Sequence, residues 1–161
     1  MTTSVVREAV AEEPVIRAAT VDDLPACARI INDYIDATGW LPRMKSRDEI
    51  AGFFGPELLG KRTVLVAEAG GSIAAYLSFS EGQVFALYID PDFRGQGLGK
   101  TLLDRVEQRH PDRVELTVFE PNFAARRFYE REGFAEVPEG RDETAEEGVP
   151  ILLMRWEGEA A

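Results

Sequence analysis

Between Gln83 and Pro111 the hydrophobic pattern of this 161-residue chain changes twice, and the changes leave few folds open. Val84-Phe85-Ala86-Leu87-Tyr88-Ile89 is apolar at every position, the pattern of a strand buried on both faces. Arg94-Gly95-Gln96-Gly97-Leu98-Gly99 follows, after which Leu98, Leu102, Leu103 and Val106 recur at helical spacing until His110-Pro111 ends them. A buried strand that feeds a helix through a glycine-rich turn calls for an α/β fold. It also creates an anion site, because unpaired backbone N–H groups and the positive end of the helix dipole converge on the turn.

Two common anion-binding patterns do not match this turn. A phosphate-binding P-loop, G-x-x-x-x-G-K-[ST], finds its end in Gly99-Lys100-Thr101, but Arg94 stands where the first glycine belongs. The dinucleotide fingerprint G-x-G-x-x-G, begun at Gly95 and Gly97, would need a glycine at Lys100. The pattern present is R-x-x-G-x-G.

The surrounding segments predict one domain over residues 15–157, with an arm at 1–14 and a tail at 158–161. Val15 to Ala18 reads as a short strand. Thr20 to Ile35 reads as a helix burying Leu24, Cys27, Ala28, Ile31 and Ile35, with Thr20 and Asp23 as a capping pair. Gly39 to Arg43 breaks the pattern, and Ser46 with Glu49 caps a short helix ending near Gly55. Strands at Thr63–Glu68, Ser72–Ser80 and Gln83–Asp90 form an antiparallel meander, with Ile73, Ala75, Leu77 and Phe79 on one face of the second. A strand from Arg113 to Phe119, a helix from Asn122 to about Glu132 closed by Gly133, and a short strand from Phe134 to Val137 come next. Pro138 to Gly148 reads as an acidic loop and Val149 to Trp156 as the last strand.

Composition removes several classes of function. One cysteine, Cys27, and one histidine, His110, make no zinc set, and Cys27 belongs to a helix's apolar stripe; composition leaves a carboxylate-only site open, and the expectation is no metal. Eighteen basic residues against twenty-nine acidic give a net charge of -11, which repels nucleic acid and anionic membrane. Residues 1–14 carry Arg7, Glu8, Glu12 and Glu13 without an unbroken apolar core, and no run of about 20 apolar residues is present. A cytoplasmic protein is the expectation.

The Arg94–Gly99 turn, together with Asn122-Phe123-Ala124-Ala125-Arg126-Arg127-Phe128-Tyr129-Glu130-Arg131-Glu132-Gly133-Phe134, resembles the GNAT superfamily of acyl-CoA-dependent N-acyltransferases. The second segment is similar to that family's N-x-x-A-x-x-(F/L)-Y-x-x-x-G-F signature. The resemblance covers Val15 to Trp156 in element order and is strongest from Phe85 to Phe134. It implies a single α/β domain whose mixed, mostly antiparallel sheet is flanked by helices, with acetyl-CoA as co-substrate and a primary amine as acceptor.

By that resemblance, backbone N–H groups around Gly95, Gln96, Gly97, Leu98 and Gly99 would hold the cofactor pyrophosphate, where a side chain would keep it away. Arg94 and Lys100 would add charge at the rim. Backbone groups of Leu87, Tyr88 and Ile89 would pair with the pantetheine amides like an added strand, and Asn122 would contact the same arm. Tyr129 matches the general acid that protonates the departing thiolate, while Arg126 and Arg127 read as a solvated helix face.

No general base can be assigned. Glu115 and Glu120 are out of phase with or beyond their strand, Glu81 is a turn residue, and His110 ends a helix. Glu136, Glu139, Asp142, Glu143, Glu146 and Glu147 suggest a cationic amine acceptor. Family analogy leans towards a homodimer. One alternative stays open, an acyl-CoA-binding module without turnover; a third, a P-loop nucleotide-binding protein, is disfavoured by Arg94.

Overall fold

A computed structural model describes residues 13–159. The arm up to residue 12 and the last two residues of the expected tail lie outside the described residues. Seven strands form one sheet in the order β1-β2-β3-β4-β5-β7-β6. They are β1 (Val15–Ala18), β2 (Thr63–Ala69), β3 (Ser72–Ser80), β4 (Gln83–Ile89), β5 (Arg113–Phe119), β6 (Ala135–Asp142) and β7 (Ile151–Glu157). Every neighbouring pair is antiparallel except β4 and β5, which run parallel. The helices are α1 (Leu24–Ala37), α2 (Arg47–Gly52), α3 (Pro56–Lys61), α4 (Leu98–Arg109) and α5 (Phe123–Arg131).

Hydrophobic residues divide between the two sides of this sheet. Leu98, Leu102, Leu103 and Val106 of α4 and Tyr129 of α5 pack on Leu77, Val84, Leu116 and Leu152 of the strands. On the other side Cys27 and Ile30 of α1 meet Val64, Val66 and Tyr76, with Leu58 and Leu59 of α3 alongside. Burial raises the Cys27 thiol's pKa to about 12, consistent with a core residue and not a nucleophile.

The structure corrects the expected elements in five places. A 3-10 turn, Val21–Asp23, precedes α1, because the Thr20–Asp23 capping box closes one turn earlier than the apolar stripe starts. Ile31 and Ile35 are only half-buried, whereas Ile30 and Asn32 are buried. Helix α3 was not expected; Pro56 starts it, pre-set for a first helical position.

On β3, a register shift opposite Ala67 and Glu68 inserts Ala74, so Ile73 turns away from Ala75, Leu77 and Phe79 and packs beside Tyr76. Finally, β6 continues to Asp142 through a bulge that takes up the first part of the Pro138–Gly148 segment expected as loop, residues 143–148 remain outside any strand, and β7 begins at Ile151.

Candidate active site

The parallel junction opens almost as soon as it forms. Strands β4 and β5 are in register only at Gln83↔Glu115 and Val84↔Leu116, and then separate. The register of β3 with β4 slips between Ser78 and Phe79, leaving Phe85 without a partner opposite it. Such a bulge bends and twists the strand that carries it, and here it turns the rest of β4 away from β5. A cavity of about 800 Å³ fills the gap.

One edge of β4 is free in that gap. Asp90 donates its N–H to the Ala74 carbonyl at 2.8 Å, on the β3 side. Peptide groups alternate along a strand, so those of Tyr88 also face β3, while those of Leu87 and Ile89 face the opening. Of the three backbone segments expected to pair with a ligand, two are therefore available and Tyr88 contributes its side chain to the wall instead.

The turn after β4 is built around Asp90. This buried carboxylate accepts the Asp92 N–H at 2.9 Å and pairs with Arg29 of α1 at 3.2 Å, tying the start of the turn to the body of the molecule. Gly95 and Gly97 then both adopt φ +79, a conformation that side chains disfavour, and both have open space where a Cβ would stand. Gly97 is also the N-cap of α4, so free helix N–H groups point into the turn. Gly99 differs from them: a Cβ there would meet Phe128 at 3.1 Å and Ile89 at 3.4 Å, which makes it a contact between α4, α5 and β4.

The side chains of the turn take different directions. Arg94 lines the cavity, Gln96 is exposed, and Leu98 is in the core at 2% exposure, so only the Leu98 backbone is available to a ligand. Lys100 is exposed, lies 3.5 Å from both Asp104 and Glu132, and its pKa is raised by those two carboxylates.

Across the gap, Asn122 caps α5 by accepting the Ala125 N–H at 3.2 Å and donates Nδ2 to the Tyr34 hydroxyl at 3.0 Å. Tyr129, two turns further on, lines the cavity at 8% exposure, between the rings of Phe128 at 5.4 Å and Phe134 at 5.8 Å. Burial, followed by the nearby Tyr88 and Tyr34, holds its hydroxyl well above the usual tyrosine range, so it stays protonated. Tyr34 and Tyr88 lie 5.2 Å apart and line the same cavity as Tyr129, while Tyr76, 5.8 Å from Tyr88, backs them from the core. Tyr34 carries no recognisable motif and only its hydrogen bond to Asn122, across the fold, reveals it.

The residues weighed as bases are elsewhere. Glu115 is bonded to Arg155 at 2.7 Å, Glu120 pairs with Arg141 at 3.0 Å, and His110 stands edge-on to Phe79. Among the described residues, Arg94 is the only charged side chain lining the cavity. Arg126 also departs from expectation: it is half-buried, and its Nη1 donates to the Glu120 carbonyl at 2.8 Å.

Of the acidic segment, Glu136, Glu139, Asp142, Glu143 and Glu146 are exposed, with Glu143 paired to Arg141 and Asp142 to Thr144. Glu147 alone among these six is half-buried and its charge reaches Tyr88, whose pKa is raised to about 12 by burial first and Tyr34 and Glu147 after it.

A sheet split at one parallel junction, with a glycine turn at the mouth and a protonated tyrosine inside, is the framework of an acyl-CoA-dependent N-acyltransferase. The chain belongs to the acetyltransferase (GNAT) family, whose model matches residues 24–134.

Among similar proteins, the peptidyl-lysine N-acetyltransferase YiaC of Escherichia coli is 32% identical over 147 residues, covering 88% of this chain and 95% of YiaC. The L-amino acid N-acyltransferase MnaT of the same organism is 31% identical over 102 residues, 56% of this chain and 59% of MnaT. The solution structure of apo YjaB from Escherichia coli superposes with a TM-score of 0.74 at 26% identity, over 91% of this chain and 99% of that one. YncA from Salmonella typhimurium, solved with its cofactor acetyl-CoA, gives 0.67 at 22% identity over 89% and 93% of the two chains, a likeness of fold.

Proposed function

We propose that the protein transfers an acetyl group from acetyl-CoA directly to a primary amine while both are bound. The observation that carries this reading is the buried Tyr129 in the wall of the cavity that opens between β4 and β5. The residues present suit the acyl donor. Gly95 and Gly97 leave room for a pyrophosphate against the α4 N-terminus, Arg94 supplies a cation, and the free edge of β4 at Leu87 and Ile89 offers amide partners to a pantetheine arm. Lys100, drawn off by Asp104 and Glu132, serves at most as a rim charge.

In the reaction the amine nitrogen bonds to the thioester carbon and the carbonyl oxygen becomes an oxyanion. Of the two amides of β4 left off the β3 ladder, Leu87 lies further from the pyrophosphate turn than Ile89, and its N–H would be the donor for that charge. As the C–S bond breaks, Tyr129 gives its hydroxyl proton to the leaving thiolate and is reprotonated from solvent. With no carboxylate or imidazole in the lining among the described residues, the ammonium proton leaves through water. Asn122, fixed by its bonds to Ala125 and Tyr34, holds the donor's arm next to Tyr129.

The test is a panel of primary amines assayed for CoA thiol release, with the acetylated product identified by mass. Thiol release that depends on both amine and protein supports the transfer. Tight acetyl-CoA binding without release from any amine would leave a binding module in its place.

A further inference from the structure

Tyr34 and Asn122 come from opposite sides of the sheet. Helix α1, which carries Tyr34, packs through Cys27 and Ile30 on one face, and α5, which Asn122 caps, packs through Tyr129 on the other. Both side chains line the cavity, so their 3.0 Å hydrogen bond passes through the opening between β4 and β5.

The Tyr34 end of this bond is held in two ways. Its ring lies against Tyr88 at 5.2 Å, Tyr88 against Tyr76 at 5.8 Å, and Tyr76 meets Phe54 edge-on at 5.9 Å, a run of rings from the cavity wall back into the core. Its carbonyl accepts the Thr38 hydroxyl at 2.6 Å, which fixes the last turn of α1.

Without Tyr34, Asn122 would be held less completely. Its Oδ1 accepts the Ala125 N–H at 3.2 Å, which pins the oxygen, but the terminal torsion of an asparagine is broad and one bond leaves a range of amide planes. The Tyr34 hydroxyl selects one of them by accepting an Nδ2 hydrogen. The two hydrogens of a carboxamide lie in one plane at a fixed angle, so setting the first sets the direction of the second. That second hydrogen has no partner among the described residues, and Asn122 lines the cavity.

We propose that Tyr34 is a positioning residue for the acyl donor: across the opened sheet it sets the plane of the Asn122 amide and aims that amide's second N–H at a carbonyl of the donor's pantetheine arm. The inference rests on the acyl-transfer reading, in which Asn122 meets the arm. Tyr34 touches neither the thioester nor the amine in this role and acts through Asn122. Its effect is on cost, because a donor already aimed gives up less rotational freedom when the arm arrives.

Adenosine diphosphate carries a pyrophosphate without the arm, so it separates the two ends of the donor site. Calorimetry on the full chain should find acetyl-CoA affinity lowered about three- to tenfold by Tyr34→Phe, the range of one hydrogen bond, and ADP affinity within about twofold of wild type. Asn122→Ser keeps an N-cap oxygen and removes the amide, and it should weaken acetyl-CoA at least as much. In the double variant the losses should not multiply: Tyr34→Phe should add less than about twofold once the amide is gone. Asn32 and Asn122 are the only asparagines of the chain, and Asn32 lies outside the cavity lining, so loss of one side-chain amide signal in Asn122→Ser assigns it. In the wild-type protein acetyl-CoA should shift one of the two Asn122 amide protons and ADP should leave both in place.

Losses that multiply in the double variant, or an unchanged acetyl-CoA affinity in a folded Phe variant, would overturn the inference. Equal weakening of ADP and acetyl-CoA would overturn it too, by making the bond purely structural. Should Tyr34→Phe not fold, the wild-type spectrum decides: Asn122 protons unmoved by saturating acetyl-CoA overturn the inference. Failure of the wild-type protein to bind acetyl-CoA would remove the reading beneath it. Binding with the expected Asn122 shift, but no thiol release from any amine, would remove only turnover and leave Tyr34 in its role.

Discussion

Tyr129 holds its proton for a reason that can be separated from its packing. Its ring sits between Phe128 and Phe134, so Tyr129→Phe keeps the contacts and removes only the hydroxyl. If the hydroxyl protonates the thiolate, the single-turnover rate of thiol release should fall by about 10²–10⁴-fold with acetyl-CoA affinity nearly unchanged. An unchanged rate in a folded Phe variant would return Tyr129 to a structural role. The same burial fixes the sign of the pH dependence. A required acid whose pKa lies above the usual tyrosine range stays protonated through pH 10, so it imposes no falling limb below that point. The acceptor must lose a proton before attack and no base lines the cavity among the described residues. The kcat/KM profile should therefore rise with pH, with unit slope on a logarithmic scale, towards the acceptor's own pKa and then level. A bell falling near pH 8 would point to a different acid.

At the scale of elements, the proposed reading has the turn between β4 and α4 bind acetyl-CoA through backbone and not through a particular side chain. Gly97→Val would force a side chain onto a φ of +79 and into the open space reserved for a ligand, whereas Lys100→Ala removes a charge already shared by Asp104 and Glu132. Calorimetry should find acetyl-CoA affinity reduced at least about tenfold by the first change and less than about threefold by the second. Equal, small losses would take the pyrophosphate away from this turn. This element was legible in the sequence because glycine spacing is a local signal, and so was the Asn122–Tyr129 helix. Gly99 was grouped with its neighbours, since a sequence does not reveal that Phe128 stands 3.1 Å from its missing Cβ. Tyr34 reaches the site only through tertiary contact, from a helix far from either motif. The slip that inserts Ala74 and the bulge at Phe85 were likewise hidden, because alternation read along one strand cannot register an extra residue opposite another. The long β6 was lost to the charge of its residues, which are solvent-facing on an edge strand where polarity carries no penalty.

For the whole molecule, the sheet is two antiparallel halves, β1 to β4 and β5 with β7 and β6, joined by two parallel register pairs and by a core that spans both. On the proposed reading the gap between the halves is the binding site, and a pantetheine arm lying along β4 would act as the rung the sheet lacks. That makes the strand edge an observable. By alternation from the Asp90–Ala74 bond, the N–H groups of Leu87 and Ile89 are free of the β3 ladder while that of Tyr88 belongs to it. In the free protein, Leu87 and Ile89 should exchange their amide hydrogens faster than Tyr88 despite lying either side of it on the same strand. Saturating acetyl-CoA should slow at least one of the pair by more than about tenfold, through a new hydrogen bond and through stabilisation of the bound fold, and should slow Tyr88 only by the part due to overall stabilisation. S-acetylpantetheine, which has the arm without the pyrophosphate, should give the same residue pattern at a higher concentration. Residue-resolved exchange that slowed all three amides equally with either ligand would mean that the donor stabilises the fold without pairing to β4, and the arm would have to be sought along β5.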